Sequence, residues 1–184
     1  MTLANKITLS RIFLMPVFLF FLLENIKYGT YIAAAVFILA AATDGLDGYV
    51  ARKRKQVTTL GKLLDPLADK LLVMSALVSL VGQAKLPAWI AIVIIARELA
   101  VTGLRAVAAA ENRIIAASKF AKVKTVTQIV AIVGVIIENY PFSLVGFPFT
   151  TVALYVAVVF TILSGADYFA NAKDLFEYQP NLHS

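Results

Sequence analysis

Long apolar runs broken by short polar punctuation organise this chain from end to end. The runs fall at about 7–26, 31–51, 61–82, 86–110, 120–138 and 148–170. Between them stand Glu24-Asn25, Lys53-Arg54-Lys55, Gly82-Gln83, Glu111-Asn112-Arg113 and Asn139-Tyr140-Pro141. Each run approaches the roughly 20 residues that a helix needs to cross about 30 Å of hydrocarbon at about 1.5 Å per residue. The pattern predicts an all-α integral membrane protein of six transmembrane helices. The first run has some look of a signal peptide, but it is long and no small-residue cleavage site follows it, so it reads as the first span.

Composition strengthens this picture. The 184 residues are 60% hydrophobic and only 15% charged, with a mean hydropathy of +0.83, where a soluble domain carries about a quarter charged residues. Six spans consume most of the length, so residues 1–184 read as a single membrane domain with no room for a soluble one. There is no Cys, and the one His is His183 near the C-terminus. Thiolate zinc sites, disulfides and His-assisted nucleophiles are therefore excluded, and chemistry must run on Asp, Glu, Lys, Arg, backbone or metal. The polar tail from Asn171 to Ser184 carries no assigned function.

Charge fixes the orientation. With both termini in the cytosol, the inner side holds Lys6, Arg11, Arg52, Lys53, Arg54, Lys55, Lys62, Lys70, Arg97, Arg105, Arg113, Lys119, Lys122, Lys124 and Lys173, and the outer connections hold only Lys27 and Lys85. That asymmetry follows the positive-inside rule. The net charge of +6 thus calls for no nucleic acid and suits an anionic inner leaflet. Tyr28, Tyr31, Trp89 and Tyr140 fall where an outer aromatic belt is expected.

Four of the eleven acidic residues crowd between positions 44 and 69. Asp44 and Asp47 are three apart, Asp65 and Asp69 four apart, so each pair projects from one face of its own helix. Asp44 lies roughly 12 Å below Arg52 at the cytosolic end of the second span, and Asp69 roughly 12 Å below Gly61 at the start of the third. A connection of about eight residues makes the two helices antiparallel neighbours, so the pairs match in depth and face one pocket open to the cytosol. Four carboxylates so close in a low-dielectric bundle do not all ionise without cations to neutralise them. Oxygen ligands alone suit hard divalent ions such as Mg²⁺ or Mn²⁺, and four acids suffice for a two-metal centre that clamps a phosphoryl group. Gly45, Gly48, Ala51 and Gly61 flank the acids, where small side chains serve either helix packing or the approach of a bulky nucleotide.

This segment resembles the signature of the CDP-alcohol phosphotransferases: D-x-x-D-G, two residues, A-R, eight residues, G, three residues, D, three residues, D. Every fixed position is present, from Asp44 to Asp69. The resemblance implies a six-helix fold with both termini cytosolic and a homodimeric assembly. It also implies that Asp44, Asp47, Asp65 and Asp69 hold two divalent ions that grip the CDP diphosphate, with Asp69 also the base toward the acceptor hydroxyl. Asp44, Gly48, Ala51, Arg52 and Gly61 would line the CDP pocket, CMP would leave, and the diacylglycerol tails of CDP-diacylglycerol would stay in lipid.

Three softer stretches, Asp65 to Lys70, Ala96 to Arg105 and Lys122 to Thr125, are similar to a bacterial branch of that family whose acceptor is sn-glycerol 3-phosphate, in the cytoplasmic membrane. A phosphorylated acceptor needs several cations near the metals, and Arg105, Lys122 and Lys124 lie toward the cytosolic ends of the fourth and fifth spans. Each also suits a snorkelling or positive-inside role. Arg97 and Glu98 lie about halfway along the fourth span and read as buried in the bundle, their partners unreadable. Asn5, Thr8 and Arg11 suit an interfacial anchor more than the nucleotide site. The same chemistry with serine or an inositol phosphate is the nearest rival, although serine has no need of the cation cluster. A proton-coupled transporter or channel would place its ionisable groups near the midplane rather than at one face.

Overall fold

The computed structural model describes the backbone of residues 3–54, 59–111, 113 and 119–173, and the side chains of 10–43, 70–111, 113 and 120–173. Six α-helices follow one another: α1 (Leu3–Leu23), α2 (Gly29–Arg54), α3 (Thr59–Gly82), α4 (Ala88–Ala110), α5 (Lys119–Ile136) and α6 (Phe149–Ala170). A 3-10 turn at Phe142–Val145 precedes α6, and no strand occurs among the described residues. The helices track the apolar runs but overshoot them beside the aspartates. The α2 backbone stays helical through Arg52, Lys53 and Arg54, and α3 begins at Thr59, so four residues rather than about eight connect the two. Apolarity marks where hydrocarbon ends, whereas Ala, Arg and Lys are good helix formers that carry the hydrogen-bonded ladder beyond it.

Each helix buries one stripe. In α4 the buried positions are Ile90, Ala91, Ile94, Glu98, Val101, Leu104 and Ala108, which from Ala91 onward recur every three or four residues. In α6 they are Leu154, Ala157, Val158, Thr161, Ser164, Gly165 and Tyr168. Helices α1 and α2 pack together with α3 against α1, α5 pairs with α6, and α4 lies against α6 and α3. The shared core gathers Phe18, Phe37, Leu77, Ile94, Ile132 and Ile136 among others, with the Phe18 and Phe37 rings 5.5 Å apart. Between α5 and α6 a polar lock sits inside this core: Gln128 Nε2 donates to Thr161 Oγ1 at 3.4 Å, and Thr161 Oγ1 donates to the Ala157 carbonyl at 2.6 Å.

The faces turned away from the core are apolar too. Phe13 on α1 is 73% exposed, and Ile92 and Leu99 on α4, Val126 on α5, and Val159 and Ile162 on α6 are exposed too. A helix apolar on every side finds its favourable solvent in lipid rather than water. By length and composition, α6 is long and apolar enough to cross a bilayer; among the described residues the apolar parts of α1, α2 and α3 (Ser10–Leu23, Gly29–Thr43 and Lys70–Gly82) are shorter.

The two ends of the bundle differ in chemistry. At one end Tyr31 and Tyr140 meet edge to face at 6.1 Å, Gln83 Nε2 donates to the Leu22 carbonyl at 2.7 Å, and Lys85 pairs with Glu138 at 2.8 Å. The other end gathers the start of α3, the end of α4, the start of α5 and the end of α6. Arg11, expected as an interfacial anchor, is instead 1% exposed. It lies on α1, which packs against α2 and α3, so its side chain is enclosed by protein.

Candidate active site

The signature residues occupy the facing ends of two packed helices. Asp44, Asp47, Gly48, Ala51 and Arg52 lie on α2, and Gly61, Asp65 and Asp69 lie on α3. The two helices contact each other. The side chains of these eight residues lie outside those described, so the expected ligand and CDP-pocket roles are placed here by helix and sequence position alone. Among the described residues no three acids, His or Cys gather as a metal-ligating group.

Lys70, the residue after Asp69 on α3, lines a cavity. This cavity has a volume of about 430 Å³. Helix α4 contributes Arg97, Glu98, Thr102 and Arg105, α5 contributes Lys122 and Lys124, and α6 contributes Tyr168. Positions 97, 98, 101, 102 and 105 are one to four residues apart, which places them on a single helical face. The first two turns of α5 bring Lys122, Lys124 and Thr125 to the same space. Arg105, Lys122 and Lys124, singled out from sequence as cations for an acceptor phosphate, are thus brought together by two different helices.

They are not equivalent. Arg105 and Lys122 are exposed to the cavity mouth, and among the described residues neither has an ion-pair partner. Lys124 is buried and its Nζ pairs with Glu98 Oε1. Glu98 itself is 9% exposed, and two further cations reach it: Lys70 Nζ at 3.4 Å from Oε2 and Arg97 Nη1 at 3.1 Å from Oε1. One carboxylate therefore joins side chains from α3, α4 and α5. Arg97 extends the linkage to α6, where Nη2 donates to Ser164 Oγ at 2.5 Å and the guanidinium lies 5.5 Å from the centre of the Tyr168 ring. Gly165 permits this approach, since a Cβ there would sit 3.3 Å from Arg97 Cγ. Val101, Leu104, Tyr168 and Ala172 form a small apolar cluster packed behind the polar wall.

Among the described lining residues five cations stand against one carboxylate, in surroundings where a charge is costly unless it is paired. Such a space favours an anion of more than one charge, and a phosphate monoester offers three oxygens to ammonium and guanidinium donors. Sequence reasoning marked Arg97 and Glu98 as buried but not as cavity walls, and it passed over Lys70, Thr102 and Tyr168 in this role. The available signal was Glu98 itself, since an acid in the middle of a membrane helix calls for a partner and a purpose. An apolar groove of about 250 Å³ between α5 and α6 adjoins this cavity at Val126, which lines both.

Comparison with known proteins agrees with the signature. Residues 1–163 match the family described as CDP-alcohol phosphatidyltransferase. A Bacillus subtilis protein named CDP-diacylglycerol–glycerol-3-phosphate 3-phosphatidyltransferase is 49% identical, with 91% of this chain and 93% of that protein covered. A Rickettsia felis protein of the same name is 34% identical over 95% of this chain and 97% of its own length. A Mycobacterium tuberculosis protein named probable phosphatidylglycerophosphate synthase is 38% identical, covering 92% of this chain and 81% of its own length. The chain belongs to the CDP-alcohol phosphatidyltransferase family.

Proposed function

We propose that this chain is a phosphatidylglycerophosphate synthase, transferring the phosphatidyl group of CDP-diacylglycerol to sn-glycerol 3-phosphate with release of CMP. The observation that carries the acceptor assignment is the cationic cavity lined by Lys70, Arg105, Lys122 and Lys124, in which Arg105 and Lys122 are exposed and, among the described residues, have no ion-pair partner.

Asp44, Asp47, Asp65 and Asp69 offer only carboxylate oxygens from two helices that pack together, a donor set that fits two hard divalent ions, Mg²⁺ or Mn²⁺. Such ions, when bound, neutralise the diphosphate and polarise the phosphoryl group. The chain's own residues do the rest. Gly48, Ala51 and Gly61 leave room for the nucleotide beside the helix backbones, with Arg52 next to it. Arg105, Lys122 and Lys124 hold the acceptor phosphate and so orient the free hydroxyl of glycerol 3-phosphate toward α3. Asp69 takes the hydroxyl proton as the oxygen attacks the phosphorus that bears the diacylglycerol. The new P–O bond forms as the bond to CMP breaks, and CMP carries away the electron pair. The tails stay in lipid, and the groove that meets the cavity at Val126 gives them a route between α5 and α6.

The setting is a bacterial cytoplasmic membrane, with six spans, both termini in the cytosol, the aspartates facing the cytosol and the protein a homodimer. The apolar outer faces and the opposite chemistry of the two bundle ends support this placement. The deciding experiment measures CMP release from CDP-diacylglycerol by purified protein offered glycerol 3-phosphate, glycerol, serine or inositol phosphate. Glycerol 3-phosphate should be strongly preferred. Faster turnover with serine would leave the family membership standing and overturn the acceptor.

A further inference from the structure

We infer that Glu98 is a positioning residue of the acceptor site, holding Lys124 and Lys70 so that their remaining donors converge on the acceptor phosphate beside Asp69. This rests on the cavity being the glycerol 3-phosphate site.

The geometry is unusual for a structural ion pair. A buried carboxylate is compensated by one well-placed cation, yet Glu98 takes three, from three helices, while lying in the wall of an already cationic cavity. Each lysine ammonium has three N–H donors. Glu98 engages one on Lys124 and one on Lys70, and both side chains line the cavity with donors to spare. The two lysines sit on different helices, so a single carboxylate fixes their separation. Lys70 also follows Asp69 directly on α3, so the same contact sets where the phosphate lies relative to the base. Arg97 plays the opposite part: tied to Glu98, Ser164 and the Tyr168 ring, it anchors the carboxylate to α6. Glu98 cannot reach for the substrate, because a carboxylate repels phosphate; its action runs through the cations it holds.

The test is steady-state kinetics on full-length protein in vesicles, with each substrate varied in turn. Glu98→Gln keeps the shape and removes the charge. It should raise KM for glycerol 3-phosphate about tenfold, the effect of misplacing one charge-assisted hydrogen bond, and leave KM for CDP-diacylglycerol within about twofold. Glu98→Asp, with the carboxylate withdrawn by one methylene, should fall between, and it serves if the Gln variant fails to fold. Because Glu98 acts through Lys124 and Lys70, adding Glu98→Gln to the Lys124→Gln, Lys70→Gln double variant should make it no worse. Multiplying effects, or equal changes in both KM values, would overturn the positioning role. Arg105→Gln separates the two levels, since Arg105 does not touch Glu98. If it raises KM for glycerol 3-phosphate while Glu98→Gln does not, the inference fails and the acceptor site stands. If neither moves that KM, the acceptor assignment falls and takes the inference with it.

Discussion

Arg105 and Lys122 are exposed and, among the described residues, without an ion-pair partner, whereas Lys124 is buried against Glu98, and the difference sorts the expected mutational effects. Arg105→Gln or Lys122→Gln should raise KM for glycerol 3-phosphate roughly ten- to a hundredfold, as expected from losing a hydrogen bond to a charged group. CDP-diacylglycerol affinity should stay nearly unchanged. If these cations serve only membrane orientation, the same changes will alter insertion and leave the kinetics of correctly inserted protein alone. At the aspartates the expectations separate by role. Asp44→Asn, Asp47→Asn and Asp65→Asn should weaken metal and nucleotide binding together, and excess chelator should abolish turnover of the unaltered protein. Asp69→Asn should slow single-turnover transfer by roughly 10²–10⁴ while nucleotide still binds. A collapse of CDP-lipid affinity in that variant would make Asp69 chiefly a ligand. The spacing of the aspartates was legible because chemistry of this kind needs acids at fixed helical intervals. The Glu98 linkage was not, because it joins α3, α4, α5 and α6, and a single sequence does not say which helices meet.

At the scale of elements, hydropathy located all six helices but not their ends or their partners. The polar residues that close an apolar run, such as Arg52 to Arg54, continue the α2 ladder, and the 3-10 turn at Phe142–Val145 lies in the connection between α5 and α6. Pairing of α5 with α6 depends on groups that sequence leaves ambiguous. Gln128 and Thr161 sit among apolar neighbours and reveal themselves as partners only once the helices are side by side. Between membrane helices the hydrophobic effect contributes little, so association leans on close packing and on such bonds. Thr161→Val keeps the volume and removes the acceptor, and it should cost about 1 kcal/mol of resistance to unfolding in detergent micelles. Lys85→Gln offers the contrast. Its partner Glu138 is largely exposed, and an ion pair in water of this kind contributes little. An unfolding transition unmoved by Lys85→Gln and lowered by Thr161→Val is the expected pair of results; the reverse order would place the stabilising contact at the loop end instead of inside the bundle.

At the scale of the whole molecule the question is which end faces the cytosol, and the two ends give an asymmetric answer. One carries the aspartate-bearing ends of α2 and α3, the cationic cavity and most of the basic residues; the other carries Tyr31, Tyr140 and the single exposed pair of Lys85 with Glu138 among the described residues. Lys and Arg resist translocation across an energised membrane, and aromatic side chains settle at the outer interface, so the proposed orientation puts the cavity end inside, on the side of a water-soluble acceptor. The chain contains no Cys, which makes the placement directly measurable, since any thiol introduced is the only one. Asn25→Cys, in the connection between α1 and α2, and Glu111→Cys, just after α4, both replace exposed side chains away from the cavity wall. A membrane-impermeant thiol reagent added to intact cells should label Asn25→Cys at once and spare Glu111→Cys, which should react only after the membrane is permeabilised. Reversed labelling would invert the topology and put the acceptor cavity on the outer face. Labelling of both positions in intact cells would mean that the intervening helices do not cross the membrane in the odd number that six spans require between these two sites.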